Sequence, residues 1–211
     1  MRRKALGVTL AAAALLTSGA ASPEQPEPEQ RITVRAGSAG ATTAVLTAWQ
    51  RTGGEWTKAY GPVPAQIGKN GVGQASEATA RTPAGVWPLT EAFGTEPAAT
   101  RLPYREVTTS DWWVSDVKSP HYNTHFTCAP GTCPFDEAAG ENLGEAGPVY
   151  ANAVVIGYNR SPVVPGAGSA FFLHVTSGKP TAGCVAIPGA DLTALLRWLD
   201  PARHPVIEIS G

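Results

Sequence analysis

Charged side chains are scarce: 16% of the 211 residues, against about 25% in an average soluble domain. The 16 Lys and Arg nearly cancel the 17 Asp and Glu, leaving a net charge of -1. Without a basic excess nothing matches a phosphate backbone, so the composition argues against a nucleic-acid binder. Cysteine occurs only three times, too seldom to frame a fold, so any disulfide is a local staple. Helical periodicity is hard to place before residue 190, and only one long apolar run, Ala5 to Leu16, interrupts the chain. A helical bundle is therefore disfavoured. What the chain has instead is hydrophobic residues at 43%, which excludes a disordered polar chain. Its 23 Gly and 19 Pro approach a fifth of all positions, against about 12% usually, as many turns between short strands require.

The apolar run follows Arg2-Arg3-Lys4 and precedes Thr17-Ser18-Gly19-Ala20-Ala21, the order of a secretory signal with cleavage near Ala20 or Ala21. A membrane anchor is the alternative, but the run falls short of the roughly 20 residues a span needs. No Cys follows it, so lipidation there is not expected. Residues 1–21 are thus read as a signal peptide, and 22–30, with Pro23-Glu24-Gln25-Pro26-Glu27-Pro28, as an extended linker. The remaining residues, 31–211, suffice for one domain with its own core.

Within that domain, Thr43 to Trp49 and Glu55 to Tyr60 flank Gly53-Gly54 and read as a hairpin. Thr82-Pro83-Ala84-Gly85-Val86-Trp87 is a further extended piece beyond the turn Gly68-Lys69-Asn70-Gly71. Ala153 to Tyr158 and Ala170 to Val175 are apolar runs of strand length and look central to a sheet. Residues 112–147 mix aromatics, Pro, Gly, two Cys and two His, as a functional or disulfide-pinned excursion would. Leu192, Leu195, Leu196 and Leu199 form one helical stripe, with Asp191 as expected N-cap and Asp200-Pro201 as stop. Val206-Ile207-Glu208-Ile209 closes the chain as a strand.

His174, on a strand, precedes Cys184 by ten positions, within Thr181-Ala182-Gly183-Cys184-Val185. If Phe171 to Val175 and Val185 to Ile187 pair as a hairpin, thiol and imidazole lie side by side. An adjacent imidazole activates a cysteine nucleophile. Gly183, lacking a Cβ, allows a turn that aims the N–H groups of Gly183 and Cys184 at a carbonyl, as an oxyanion hole. On spacing alone, a buried structural Cys beside a core His fits equally well.

The His174 strand and the Thr181 to Val185 turn resemble the catalytic motif of the YkuD-type L,D-transpeptidases, and Thr82-Pro83-Ala84-Gly85 is similar to that family's Thr-Pro-x-Gly strand. Two features depart from the family: Ala182 stands where His is common, and the His174-to-Cys184 loop is short. The resemblance implies a mainly β, YkuD-like sandwich with one short helix near the C-terminus. It also implies an enzyme of the bacterial cell wall, with Cys184 as nucleophile and His174 as base, acting on peptidoglycan stem peptides through a thioester, without cofactor or metal. An amine acceptor would give a cross-link, and water a carboxypeptidase. Thr181 is expected to support the turn and Tyr158 to line the cleft. A secreted, wall-associated monomer without membrane or nucleic-acid partners is expected. From another class, a non-enzymatic wall-binding module would keep Cys184 only for packing.

His121, His125, Cys128 and Cys133 form H-x3-H-x2-C-x4-C, a spacing zinc could use. Export and the Pro130-Gly131 turn favour a Cys128–Cys133 disulfide instead, which leaves Cys184 as the odd thiol. His121 and His125 are then surface or cleft residues and His204 a surface one. Trp112, Trp113, Tyr122 and Phe126 are read as a mini-core under the excursion or as a platform for substrate.

Overall fold

A computed structural model describes residues 26–211. The expected signal peptide and residues 22–25 of the linker lie outside the described residues. The chain then runs along the domain: Glu29 N–H donates to the Arg203 carbonyl (2.9 Å) and Glu27 pairs with Arg51 (3.2 Å). Among the described residues no helix is long and apolar enough to cross a membrane.

The fold is mainly β. Strands β1 (Gln30–Ala36), β2 (Thr43–Thr52) and β3 (Glu55–Gln66) form an antiparallel meander, with β2 and β3 joined at Gly53-Gly54 as the sequence predicts. In β2, Ala44, Leu46 and Ala48 point inward while Val45 stays exposed, the period-2 pattern of a sheet wetted on one face. Two short strands, β4 (Val72–Gly73) and β5 (Thr82–Pro83), pair in parallel ahead of the long β6 (Gly85–Gly94) and its neighbour β7 (Tyr104–Glu106). The excursion contributes β8 (Asp111–Trp113), β9 (His125–Thr127) and β10 (Glu141–Asn142), a three-stranded sheet in the order β10-β8-β9. Strands β11 (Ala153–Ile156), β12 (Phe172–Val175) and β13 (Val185–Ile187), helix α1 (Gly189–Trp198) and β14 (Val206–Ser210) complete the chain.

The main sheet runs β11-β12-β13-β3-β2-β1-β14-β6-β7, and β11 also pairs with β6. Its two ends therefore meet, and the halves enclose a core of Ile32, Val34, Leu46, Ile67, Leu173 and the leucines of α1. Strands β11, β12 and β13 are buried on both faces, which explains their unbroken apolar runs. Leu173, Val185 and Ile187 enter the main core. Phe172, Val155 and Ala153 turn the other way, into a second core with Phe93, Trp113, Leu143, Tyr150 and Cys184. The excursion is the lid of this second core.

Two local expectations are corrected. Strands β12 and β13 do not form a hairpin: they pair in parallel, with Leu173 opposite Val185 and His174 opposite Ala186. The connecting loop returns across the sheet, stitched to the Gly68 turn by Thr181 N–H to the Ile67 carbonyl and Lys69 N–H to the Thr181 carbonyl (both 2.9 Å). Asp191 is not the N-cap of α1. Pro188 holds that position without a side-chain bond, and Asp191 lies in the first turn, accepting from the Tyr60 hydroxyl at 2.7 Å. There its charge still complements the helix dipole. Asp200 instead caps the short 3-10 helix that follows.

Candidate active site

Cys184 immediately precedes β13, and the parallel register extended by one residue sets it opposite Phe172. Its Sγ accepts the Phe172 N–H at 3.4 Å and donates to the Ala170 carbonyl at 3.3 Å. The side chain is buried. Burial pushes the thiol well above its ordinary value, the Glu141 carboxylate pushes it further, and the Phe172 N–H opposes both.

His174 stands two residues beyond Phe172, on the same face of β12. With strands about 4.8 Å apart and a two-residue step of about 6.6 Å, His174 and Cys184 are diagonal neighbours about 8 Å apart at Cα. The Nδ1–H donates to the Val175 carbonyl at 2.9 Å, which fixes the tautomer and leaves the lone pair on Nε2. Burial holds the imidazole below its ordinary value, so it is neutral at pH 7. No hydrogen bond joins His174 to Cys184 in this resting geometry; such bonds often tighten only once substrate is bound.

The turn before Cys184 is held by hydroxyls. Thr181 Oγ1 accepts the Gly183 N–H at 3.0 Å and donates to the Cys184 carbonyl at 2.7 Å. The Gly183 N–H is thereby engaged, which corrects the expectation that it points at a substrate carbonyl. A Cβ on Gly183 would lie 2.5 Å from a Phe171 ring carbon and 3.0 Å from the Arg81 carbonyl, at a φ of +153°, so glycine is required here by fit. Thr82 is fully buried beneath the turn. Its Oγ1 accepts the Gly68 N–H at 2.8 Å and makes a long 3.5 Å contact to the Cys184 carbonyl. Gly68 in turn is pressed against the Ala80 carbonyl, which a Cβ would approach to 2.6 Å. Thr82 and Thr181, from two of the segments singled out in the sequence, thus converge on the Cys184 carbonyl, and the third, at Gly68, braces Thr82.

Tyr158 stands apart from this arrangement. Its hydroxyl donates to the Ala167 carbonyl at 2.8 Å, its ring packs on Trp87 and Phe171, and it does not line the cavity at Cys184.

That cavity, about 110 Å³, is lined by Cys184, Gly183, Glu77, Glu141, Ser115 and Ser169 among others. The Tyr122 hydroxyl donates to Glu77 and accepts the Gly168 N–H at 3.1 Å; burial, aided by Glu77, pushes this phenol up to about 12. Across the cavity the Tyr150 hydroxyl donates to Glu141. Burial raises the Glu141 carboxyl, a rise that the Tyr150 bond opposes and the Glu77 charge reinforces. The Tyr150 ring meets the His174 ring edge-on, centroids 5.4 Å apart. A larger depression of about 570 Å³ lies between Pro26, Val86, Pro88 and His204, but it holds no nucleophile.

Glu77, Glu141 and Tyr150 escaped sequence reasoning, because isolated Glu and Tyr carry no spacing signal. The single hint was the composition of the excursion that delivers Glu141.

Cys128 and Cys133 are disulfide-bonded, with Cα atoms 5.4 Å apart, and Cys184 is the free thiol. The four residues spaced for zinc are therefore engaged elsewhere. His125 is partly buried and lines a small cleft, its Nε2 2.8 Å from Asp111 Oδ1, and His121 packs on Phe126 with centroids 4.5 Å apart. His204 is exposed. The aromatic group divides: Trp112 and Phe126 form a mini-core with Phe135, whereas Trp113 joins Phe172 in the second core and Tyr122 reaches the cavity.

Compared with models of known protein families, residues 32–207 match the L,D-transpeptidase catalytic domain, YkuD. No curated protein and no solved structure matches the chain.

Proposed function

The chain belongs to the YkuD family of L,D-transpeptidase catalytic domains, and on that premise we propose that it is a cysteine acyltransferase that cross-links peptidoglycan stem peptides. Cys184 is the nucleophile and His174 its base. The observation that carries this reading is a free thiol at the wall of a cavity, with a neutral imidazole of fixed tautomer on the same face of the sheet.

In the first step the Cys184 sulfur attacks the carbonyl carbon of the diamino acid at the third position of a tetrapeptide stem. His174 Nε2 takes the thiol proton as the carbon–sulfur bond forms. The proton then passes to the nitrogen of the terminal D-alanine, the carbon–nitrogen bond breaks, and a thioester remains. In the second step the amine of another stem attacks the thioester, His174 receives the amine proton, and the thiolate leaves and is reprotonated. One peptide bond is broken and one made, so no external energy source enters. Burial raises the resting thiol, which favours proton transfer to His174 in concert with attack. Thr181 and Thr82 act by fixing the Cys184 carbonyl and hence the direction of the nucleophile. Export to the envelope fits both the N-terminal sequence and the Cys128–Cys133 disulfide.

The test is incubation of tetrapeptide muropeptides with the protein and with Cys184→Ala, followed by mass spectrometry. Cys184-dependent release of D-alanine with a 3-3 dimer is the expected result. Tripeptide without dimer would instead establish a carboxypeptidase. Absence of any Cys184-dependent product would leave a wall-binding module.

A further inference from the structure

The cavity beside Cys184 has a charge pattern that acyl transfer alone does not require. Two carboxylates and three serines, Ser76, Ser115 and Ser169, line it, and no Lys, Arg or His does. Neither Glu77 nor Glu141 takes part in an ion pair among the described residues. Glu141 is enclosed by protein on nearly every side, yet its carboxylate is reached from the cavity. Its Oε2 accepts from Tyr150, while Oε1 has no hydrogen-bond partner among the described residues. A buried carboxylate costs several kcal/mol when no cation accompanies it. The group is nonetheless held rigidly: β10 pairs Glu141 with Trp113 of the second core, and Tyr150 is wedged against His174 and Phe172.

We propose that Glu141 receives a primary ammonium of the substrate beside Cys184, and that this occupancy is what frees the thiol to react. An uncompensated carboxylate at the nucleophile opposes formation of a thiolate, so the empty site is sluggish. A cation seated between them cancels that opposition when a substrate has arrived. The groups facing Glu141 are Glu77 with Tyr122 across the cavity, Cys184 at its wall, and Tyr150 with His174 behind. None of them brings a permanent positive charge. In the proposed reaction the ammonium is the side-chain amine of the donor's diamino acid, which arrives before the thiol reacts. The inference rests on the proposed function for the identity of the ammonium, not for the existence of its receptor.

The receptor is tested without any wall peptide. Alkylation of Cys184 by iodoacetamide at pH 7 is followed by intact mass, with methylammonium or tetramethylammonium added. Methylammonium is expected to accelerate alkylation of the native protein, and tetramethylammonium, which has no N–H to donate, to leave it unchanged. Glu141→Gln should react about tenfold faster unaided, the effect of lowering the thiol by one unit, and should ignore methylammonium. A native rate indifferent to methylammonium overturns the proposal, and this arm needs no variant to fold. A Glu141→Gln protein with native melting temperature and native alkylation rate overturns it equally.

Single-turnover acylation with donors bearing a free or an acetylated side-chain amine then assigns the ammonium. At least tenfold slower acylation by the acetylated donor identifies the donor's amine. Equal acylation by the two donors overturns the assignment, because the acceptor's amine enters only after the thiol has reacted. If neither donor acylates Cys184 while alkylation responds as stated, the acyl-transfer reading fails and the ammonium receptor stands.

Discussion

At the scale of single residues, Gly183 is required by fit and Thr181 by the two hydrogen bonds of its hydroxyl. Gly183→Ala drives a methyl into Phe171 and the Arg81 carbonyl. The expected outcome is a loss of about 1–3 kcal/mol in urea unfolding, with acylation reduced beyond what the unfolded fraction explains. Thr181→Val keeps the shape but strands the Gly183 N–H and removes one partner of the Cys184 carbonyl. It should cost about 1–3 kcal/mol and slow acylation in proportion to the lost orientation of the thiol. In the proposed mechanism His174 acts unprotonated, and burial lowers its pKa from the ordinary 6.5. The neutral form therefore persists further into acid, and the acid limb of kcat/KM should have its midpoint below 6.5. A midpoint above that value would exclude His174 as the base. The proposed Cys184 and His174 pair could be singled out in the sequence because the two residues sit in a motif with internal spacing. Glu141 could not, because its proximity to the thiol comes from tertiary contact alone.

At the scale of elements, the small sheet β10-β8-β9 is what presents Glu141 and Trp113 to the second core. Asp111 is its knot: Oδ2 accepts from Thr108 N–H and hydroxyl, and Oδ1 meets His125 Nε2 and Thr127. Burial works against the charged form of Asp111, but these bonds outweigh it and hold the carboxyl below its ordinary 3.8. A lowered carboxyl contributes stability above the unfolded value and loses it as pH falls through the folded one. Hydrogen exchange in residues 108–127 should therefore quicken below about pH 4, before the amides of β1 and β2 do. Reducing Cys128–Cys133 releases a loop of only a few residues, so about 2 kcal/mol is the expected cost, read as a shift of the denaturation midpoint. The misjudged pairing of β12 and β13 has a physical origin. A ten-residue interval read as a hairpin is the simplest geometry, whereas parallel pairing over so short a return depends on the anchorage of Thr181 at Gly68 and Ile67. No local pattern in Thr176 to Gly183 records that anchorage.

At the scale of the whole molecule, the mainly β architecture followed from turn residues and strand-length apolar runs, while the meeting of β11 with β6 did not, since closure is a property of register around the sheet. The double burial of β12 did leave a trace, as an apolar run without alternation. It implies a separation of labour between faces: Leu173→Ala, in the main core, should cost about 2–5 kcal/mol of global stability while leaving the alkylation rate of the folded Cys184 unchanged. The placement of the three thiols has a further consequence, for how the chain avoids oxidising itself wrongly. Cys128 and Cys133 are five positions apart and Cys184 lies 51 positions beyond Cys133. Encounter probability in a flexible chain falls as about the three-halves power of separation, so the short pair meets roughly thirtyfold more often than either meets Cys184. Once folded, the Cys184 sulfur is held against Ala170 and Phe172 in the second core. The order of cysteines along the chain is thus a kinetic filter that spends two thiols on each other and spares the third for the proposed chemistry.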